Sequence, residues 1–425
     1  MRKMKLVMLT VAFTAFASLT AFAADQGWVK EDNAWYYLDK DGDAVENAWK
    51  TNADGTLYFY LNEDGEMATS SLIEDGEHLY YVNADGVQSR NQWRLIEDED
   101  IDEEARWYYF DKNGRALKNC NRVIDGKRYY FDAEGKMLYG WVNASGSNAE
   151  MVKDFTEGNM YLGTKDTGWR WDKQWFKETD LEILEEKIGE GIDYAWFYFD
   201  SKGQKQVGNK VRIDGAEYIF DEKGVMAKDG IVGEYFVSKS GEIYKNRWIY
   251  AEKVVNDKKT EDFVWYRTDK NGKLITDDIV KINGKTYLFN EKGEMITGFV
   301  ASGSNASMFD KDLLDVKSDD FTHSNYVYYT ENGDKLVDKS IELELEDGFF
   351  VFRFDKNGAP YVDKTGKYYY VNGILQRAVD AKYLFCEENG KIVNTSGKFM
   401  TGTKYTIDDV VYEKQADGTY AVKAN

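Results

Sequence analysis

The sequence predicts an all-β chain, a solenoid of stacked β-hairpin repeats of about 20 residues with short helical or loop inserts. Three observations predict it. The first is a run of rings closed by a turn, Trp107-Tyr108-Tyr109-Phe110-Asp111-Lys112-Asn113-Gly114. At a strand's period of two, Trp107 and Tyr109 face one way and Tyr108 and Phe110 the other, so both faces need covering. Lys112, Asn113 and Gly114 read as the hairpin turn, because Asn and Gly tolerate positive φ. Trp49, Trp93 and Trp248, each seven residues after Gly42, Gly86 and Gly241, then fall at the far end of the returning strand.

The second observation is recurrence. Tyr36-Tyr37-Leu38, Tyr58-Phe59-Tyr60, Tyr80-Tyr81, Tyr129-Tyr130-Phe131, Phe197-Tyr198-Phe199, Tyr218-Ile219-Phe220, Tyr287-Leu288-Phe289 and Tyr328-Tyr329 are each followed by a glycine. The third is a longer echo: Asp111-Lys112-Asn113-Gly114 returns as Asp269-Lys270-Asn271-Gly272, and Ala144-Ser145-Gly146-Ser147-Asn148-Ala149 returns at 301–306. An isolated hairpin is marginal in water, so each unit must bury its rings against the next.

In chain order, residues 1–23 read as a signal peptide. Arg2, Lys3 and Lys5 form a positive start, Leu6 to Leu19 a short apolar run, and Ala21-Phe22-Ala23 a cleavage site. The expectation is a secreted protein with no transmembrane segment, held non-covalently at the cell surface or cell wall. Residues 24–178 form a first block of repeats with an acidic stretch at 97–104. An acidic insert at 179–193 includes Leu181 to Lys187 at weak helical spacing. A second block spans 194–358, and 359–425 holds degenerate C-terminal repeats and a cap, with strands around Tyr368-Tyr369-Tyr370, Tyr383-Leu384-Phe385 and Val410-Val411-Tyr412. The pattern lapses at 143–161, where Met151 to Phe155 is a short helix or an ordered loop, and again at 301–323.

Losing the leader removes three of the 55 Lys and Arg residues and none of the 76 Asp and Glu, so the net charge of −21 becomes about −24. That balance argues against nucleic acid and anionic lipid as partners. Acidic loops beside aromatic pockets favour a cationic ligand. Cys120 and Cys386 are far apart in an array of neighbour contacts, which makes a disulfide between them unexpected. His78 and His323 belong to no metal-ligand spacing. Asp39-Lys40-Asp41-Gly42-Asp43 has the look of a calcium loop but lacks the later glutamate, so a turn is expected. No nucleophilic triad is arranged and no non-repeat stretch is long enough for a catalytic domain, so neither a cofactor nor an enzyme is expected.

The segment Gly27-Trp28-Val29-Lys30-Glu31-Asp32-Asn33-Ala34-Trp35-Tyr36-Tyr37 resembles the choline-binding or cell-wall-binding repeat, similar to the glucan-binding repeats of secreted glucosyltransferases and the receptor-binding repeats of clostridial toxins. Gly140-Trp141, Gln92-Trp93 with Trp107-Tyr108-Tyr109, and Arg247-Trp248 with Trp265-Tyr266 continue the likeness. The resemblance implies ligand sites between successive hairpins, each a box of three rings. It places boxes at Trp28, Trp35 and Tyr58; at Trp93, Trp107 and Tyr129; and at Trp248, Trp265 and Tyr287; with a weaker one at Trp175, Trp196 and Tyr218. Trp28 and Trp35 rank first, because their separation of seven residues is compact, against fourteen, twenty-one and seventeen elsewhere. The resemblance further implies a non-enzymatic protein of a Gram-positive bacterium that binds choline on teichoic acid, or wall or extracellular glycan. The rival expectation is an adhesin or toxin-like module that recognises host carbohydrate.

Overall fold

The computed structural model describes residues 26–98, 102–255, 258–302, 325–346 and 348–423, together with Val316 and Phe321. The leader at 1–23, His323 and most of the second Ala-Ser-Gly-Ser-Asn-Ala copy lie outside the described residues. The chain is built of short antiparallel hairpins, in two compact units, 1–227 and 228–425. Among the described residues there is one helix, and it is not long or apolar enough to cross a membrane.

The hairpins are present, but their phase differs from the sequence expectation. The ring-bearing run is the second strand of its hairpin. Cys120–Ile124 pairs with Lys127–Phe131 across Asp125-Gly126, whose φ values of 49° and 78° make a two-residue turn of the twist that hairpins prefer. Gly27–Glu31 pairs with Ala34–Leu38 across Asp32-Asn33 in the same way. The Asp-x-x-Gly segment instead leaves the hairpin: Asp111 Oδ1 accepts the N–H groups of Asn113 and Arg115, and Gly114 N–H donates to Asp111 O. Asp39 holds its own turn identically, through the N–H groups of Asp41 and Asp43. Each turn is followed by a single bridge, such as Phe110 to Ala116, and then by the next hairpin. Trp49 and Trp93 therefore sit on first strands, paired across the hairpin with Tyr60 and Tyr109.

Successive hairpins are joined by backbone. The residue two places after a turn glycine donates its N–H to the second strand of the preceding hairpin: Met67 to Trp35 O, Ala116 to Leu79 O, Met137 to Trp107 O. Burial is spread over several small clusters and not one core. In the first unit one gathers Leu79, Ile96, Tyr108 and Phe110, and another Trp141, Phe155, Leu184, Phe197 and Phe199; in the second, Phe299, Tyr326, Phe352 and Phe354 form the largest. Offset and edge-to-face ring pairs of this kind contribute about 0.5–1.5 kcal/mol each beyond their area.

The inserts grow from hairpin tips. Gln174–Glu178 pairs with Ala195–Phe199, so 179–193 is that hairpin's loop. Within it Asp180 caps Leu181–Lys187 by accepting the N–H groups of Glu182 and Ile183, and fully buried Leu184 packs into the Trp141 cluster. The lapse at 143–161 is ordered: Trp141–Ser145 pairs with both Asn148–Met151 and Met160–Tyr161, and Phe155 is fully buried. Cys120 and Cys386 are free thiols.

Candidate ligand-binding boxes

Strand register decides which rings meet. Trp93 lies opposite Tyr109 and Leu95 opposite Trp107, so Trp93 and Trp107 share a face as diagonal neighbours. Their centroids are 6.4 Å apart at 88°. Tyr129 of the next hairpin closes the third side, 4.8 Å from Trp93 at 62°. The structure thus brings Trp93, Trp107 and Tyr129 into one box.

The same construction recurs. Trp248 meets Trp265 at 6.3 Å and 88° and Tyr287 at 4.9 Å and 64°. Trp175 meets Trp196 at 6.3 Å and 90° and Tyr218 at 5.0 Å and 68°. Sequence separations of fourteen, seventeen and twenty-one thus give one geometry. The extra residues lengthen the tip and leave the register beside the turn unchanged, so separation is no measure of the box.

The N-terminal box differs. Trp28 and Trp35 share a face by register, with Trp28 opposite Tyr37 and Lys30 opposite Trp35. The ring that the next hairpin lays against Trp28 is Phe59, at 5.1 Å and 71°, and not Tyr58. Phe59, Tyr129, Tyr218 and Tyr287 all stand six residues before their turn glycine. Tyr58 faces Arg90, whose guanidinium is 3.6 Å from its ring centroid.

A fourth wall was not legible as such. Met67, Met137, Met226 and Met295 stand two residues after Gly65, Gly135, Gly224 and Gly293, and each donates its N–H to the carbonyl of a box tryptophan: Trp35, Trp107, Trp196 and Trp265. Met137 is 4% and Met226 6% exposed, within the clusters that hold their rings. A methionine two residues past the glycine that trails a ring run was the available signal. A thioether supplies a soft, polarisable floor. The outer rings stay open, Trp35 and Trp265 being 40% and 41% exposed.

Electrostatics favour a cation. Burial, then the carboxylate of Asp125, pushes the Tyr129 phenol above its ordinary value; burial, then Asp125 and Asp111, does the same for Tyr109. Both phenols are neutral at physiological pH, and the nearby charge is negative. Protein cations already lie over rings in three boxes: Lys30 at 5.9 Å from Trp35, Lys177 at 5.9 Å from Trp196, and Arg267 at 5.8 Å from Trp248. Among the described residues none lies over Trp93, Trp107 or Tyr129, and no group of His, Cys, Asp and Glu is arranged to hold a metal.

A family model described as a choline-binding repeat matches residues 26–72 and 100–138, and one described as a putative cell wall binding repeat matches 280–295. Glucosyltransferase-S of Streptococcus mutans is 26% identical over 277 residues, 64% of this chain and 16% of that protein. Glucosyltransferase-I of Streptococcus downei is 23% identical over 364 residues, 82% of this chain and 19% of that protein. The chain therefore spans less than a fifth of these curated relatives. Among solved structures, the modular autolysin LytC of Streptococcus pneumoniae is 21% identical with a TM-score of 0.40, covering 64% of this chain and 52% of that one. Choline binding protein F of Streptococcus pneumoniae is 18% identical with a TM-score of 0.32, covering 80% and 99%.

Proposed function

We propose, from the premise that this chain belongs to the choline-binding and cell-wall-binding repeat family, that its cell-wall and glycan binding is attachment through quaternary ammonium groups of choline-bearing teichoic acid. The observation that carries this reading is the recurrence of one box, two tryptophans at right angles with a third ring 4.8–5.0 Å from one of them and a methionine floor, at Trp93, Trp175 and Trp248. Ring faces carry negative charge density, and a desolvated ammonium gains about 2 kcal/mol from such a face. Trp93, Trp107, Tyr129 and Met137 form the box we assign first, since no cation of the described residues lies over its rings. Trp248, Trp265, Tyr287 and Met295 follow, then Trp28, Trp35, Phe59 and Met67. Export from a Gram-positive cell, the absence of catalysis and the winding of each unit's hairpins as a solenoid belong to the same proposal.

A second reading has its own observation. Tyr250, Phe263 and Trp265 form an exposed row, 58%, 50% and 41% exposed, with Tyr250 centred 5.4 Å from Phe263 and 5.0 Å from Trp265. Such a platform suits the apolar face of a pyranose, as wall glycan, extracellular glucan or a host carbohydrate presents it. Tryptophan fluorescence titrated with choline, beside dextran, separates the readings. Saturable quenching by choline that weakens in Trp107→Ala supports the ammonium reading. A response to dextran alone, lost in Tyr250→Ala, replaces it with the glycan reading.

A further inference from the structure

Three boxes take their third ring, Tyr129, Tyr218 or Tyr287, from the second strand of the following hairpin, just past its tip. The tips are Asp125-Gly126, Asp214-Gly215 and Asn283-Gly284. Their φ values, 49° and 78°, 48° and 93°, and 49° and 84°, make the same two-residue turn. Two of the tips thus set a carboxylate beside the box. Burial, then that carboxylate, pushes the Tyr129 and Tyr198 phenols above their ordinary values. At the third tip Asn283 lines one cavity with Trp248 and brings only a neutral amide.

An asparagine before glycine is open to ring closure, because glycine has no Cβ to obstruct attack of its backbone nitrogen on the amide carbon. The chain has seven such pairs, and six are restrained. Gly114, Gly272, Gly333 and Gly358 donate their N–H groups at 2.8–3.1 Å to the carbonyls of Asp111, Asp269, Thr330 and Asp355. Asn389 Oδ1 accepts the Lys391 N–H at 2.9 Å, and Asn372 Nδ2 donates to Phe321 O at 2.6 Å. Asn283 and Gly284 are both exposed, and among the described residues neither the Asn283 amide nor the Gly284 N–H has a hydrogen-bond partner. Exposed Lys281 and Lys285 flank the pair, and their charge favours loss of the glycine's amide proton.

We propose that Asn283 is a site of spontaneous deamidation, which gives the Trp248 box the tip carboxylate that the Trp93 and Trp175 boxes carry from synthesis. The part that concerns the box rests on its reading as an ammonium site; the modification does not. The Gly284 nitrogen, its proton given to water, bonds to Asn283 Cγ. The bond from Cγ to Nδ2 breaks, and Nδ2 takes up a proton and leaves as ammonia. Water then opens the five-membered imide at either carbonyl, giving aspartate or isoaspartate. Each product adds one negative charge, and nothing is oxidised or reduced.

The test holds the whole chain in warm, mildly alkaline buffer and follows it by peptide mass spectrometry. Fresh and aged protein are titrated calorimetrically with choline, beside Asn283→Asp and Asn283→Gly; the glycine variant suits the turn and cannot deamidate. We expect Asn283 to convert about tenfold faster than any of the other six asparagines, a barrier difference of about 1.4 kcal/mol. Ageing the parent, like Asn283→Asp, should tighten choline binding at one site by roughly twofold to fivefold, the range of an exposed charge pair. Ageing Asn283→Gly should change nothing. Conversion of Asn283 no faster than that of Asn113 or Asn271 overturns the inference. Conversion that leaves choline affinity unmoved, with Asn283→Asp equal to the fresh parent, overturns the part that concerns the box and leaves the ammonium reading standing. Silence to choline in every sample, with Asn283 converting first, keeps the modification and removes the ammonium reading.

Discussion

Trp93 and Trp141 stand at the same place in two hairpins of the first unit, yet one borders an open box and the other a filled cage. Trp93 has Tyr109 opposite, Tyr129 from the next hairpin and Met137 beneath Trp107. Trp141 has the matching neighbours Tyr161 at 5.3 Å and Phe197 at 5.4 Å, but Asn159 replaces Trp107 and Lys205 replaces Met137. The Lys205 ammonium lies 5.5 Å from the Trp141 centroid and donates to Phe155 O. Phe155, Phe176 and Phe199 complete the cage, and Trp141 is 6% exposed. The aromatic architecture is thus indifferent to where its cation comes from. Two residues after the turn glycine, the open box carries a methionine and the filled cage a lysine that fills it from within.

The largest expected effect comes from transplanting that choice. Met137→Lys places an ammonium under Trp107, and calorimetry should then count one equivalent of choline fewer than in the parent; an unchanged count would break the comparison. Next is Gly168→Ala. Gly168 holds φ at +61°, and a Cβ there collides with the Met137 thioether. We expect a loss of about 1–2 kcal/mol in denaturant unfolding together with weaker choline quenching at this box; a stability loss without the binding change would detach the floor from function.

Lys205→Met should raise the melting temperature at pH 7 by roughly 2–4 °C. Burial lowers the Lys205 pKa from 10.5 to about 8. Between those values the unfolded chain holds a proton that the folded chain releases, so the parent gains stability as pH rises through the window. The advantage of Lys205→Met should therefore shrink from pH 8 to pH 10.5; an advantage that does not change with pH would mean packing and not charge sets it. Smallest is Asp111→Ala, which strips the acceptor from the N–H groups of Asn113 and Arg115. A loss of about 1 kcal/mol is expected in urea unfolding; no loss would show that the turn does not help hold the hairpin before the box in register.

Much of this was legible. Ring runs with a trailing glycine marked the strands, and tryptophans seven residues past the glycine marked the first wall of the Trp93 and Trp248 boxes. Phase was lost because Asp125-Gly126 and Asp111-x-x-Gly114 use the same residue types for different turns, and only their lengths separate a hairpin tip from an Asx turn. Tyr58 was chosen over Phe59 because Tyr58-Phe59-Tyr60 is aromatic throughout, so composition cannot set parity and a slip of one residue changes the face. The methionines carry no such signal by themselves, because a methionine beside rings is also what ordinary packing uses. Lys205 was hidden for a different reason: its partner Asn159 lies in the stretch 143–161, where the repeat pattern lapses.

The backbone bond from Met137 N–H to Trp107 O crosses the seam between two hairpins, and so does the box above it, with Trp93 and Trp107 on one side and Tyr129 on the other. A ligand held there, as proposed, would be a staple across the seam. Its binding energy opposes separation of neighbouring repeats, by about 2.7 kcal/mol when it is present at a hundred times its dissociation constant. The chain anchored to a wall would accordingly resist pulling and proteolytic fraying better than the same chain adrift, with each filled seam acting as a latch that opens when free ligand is washed away.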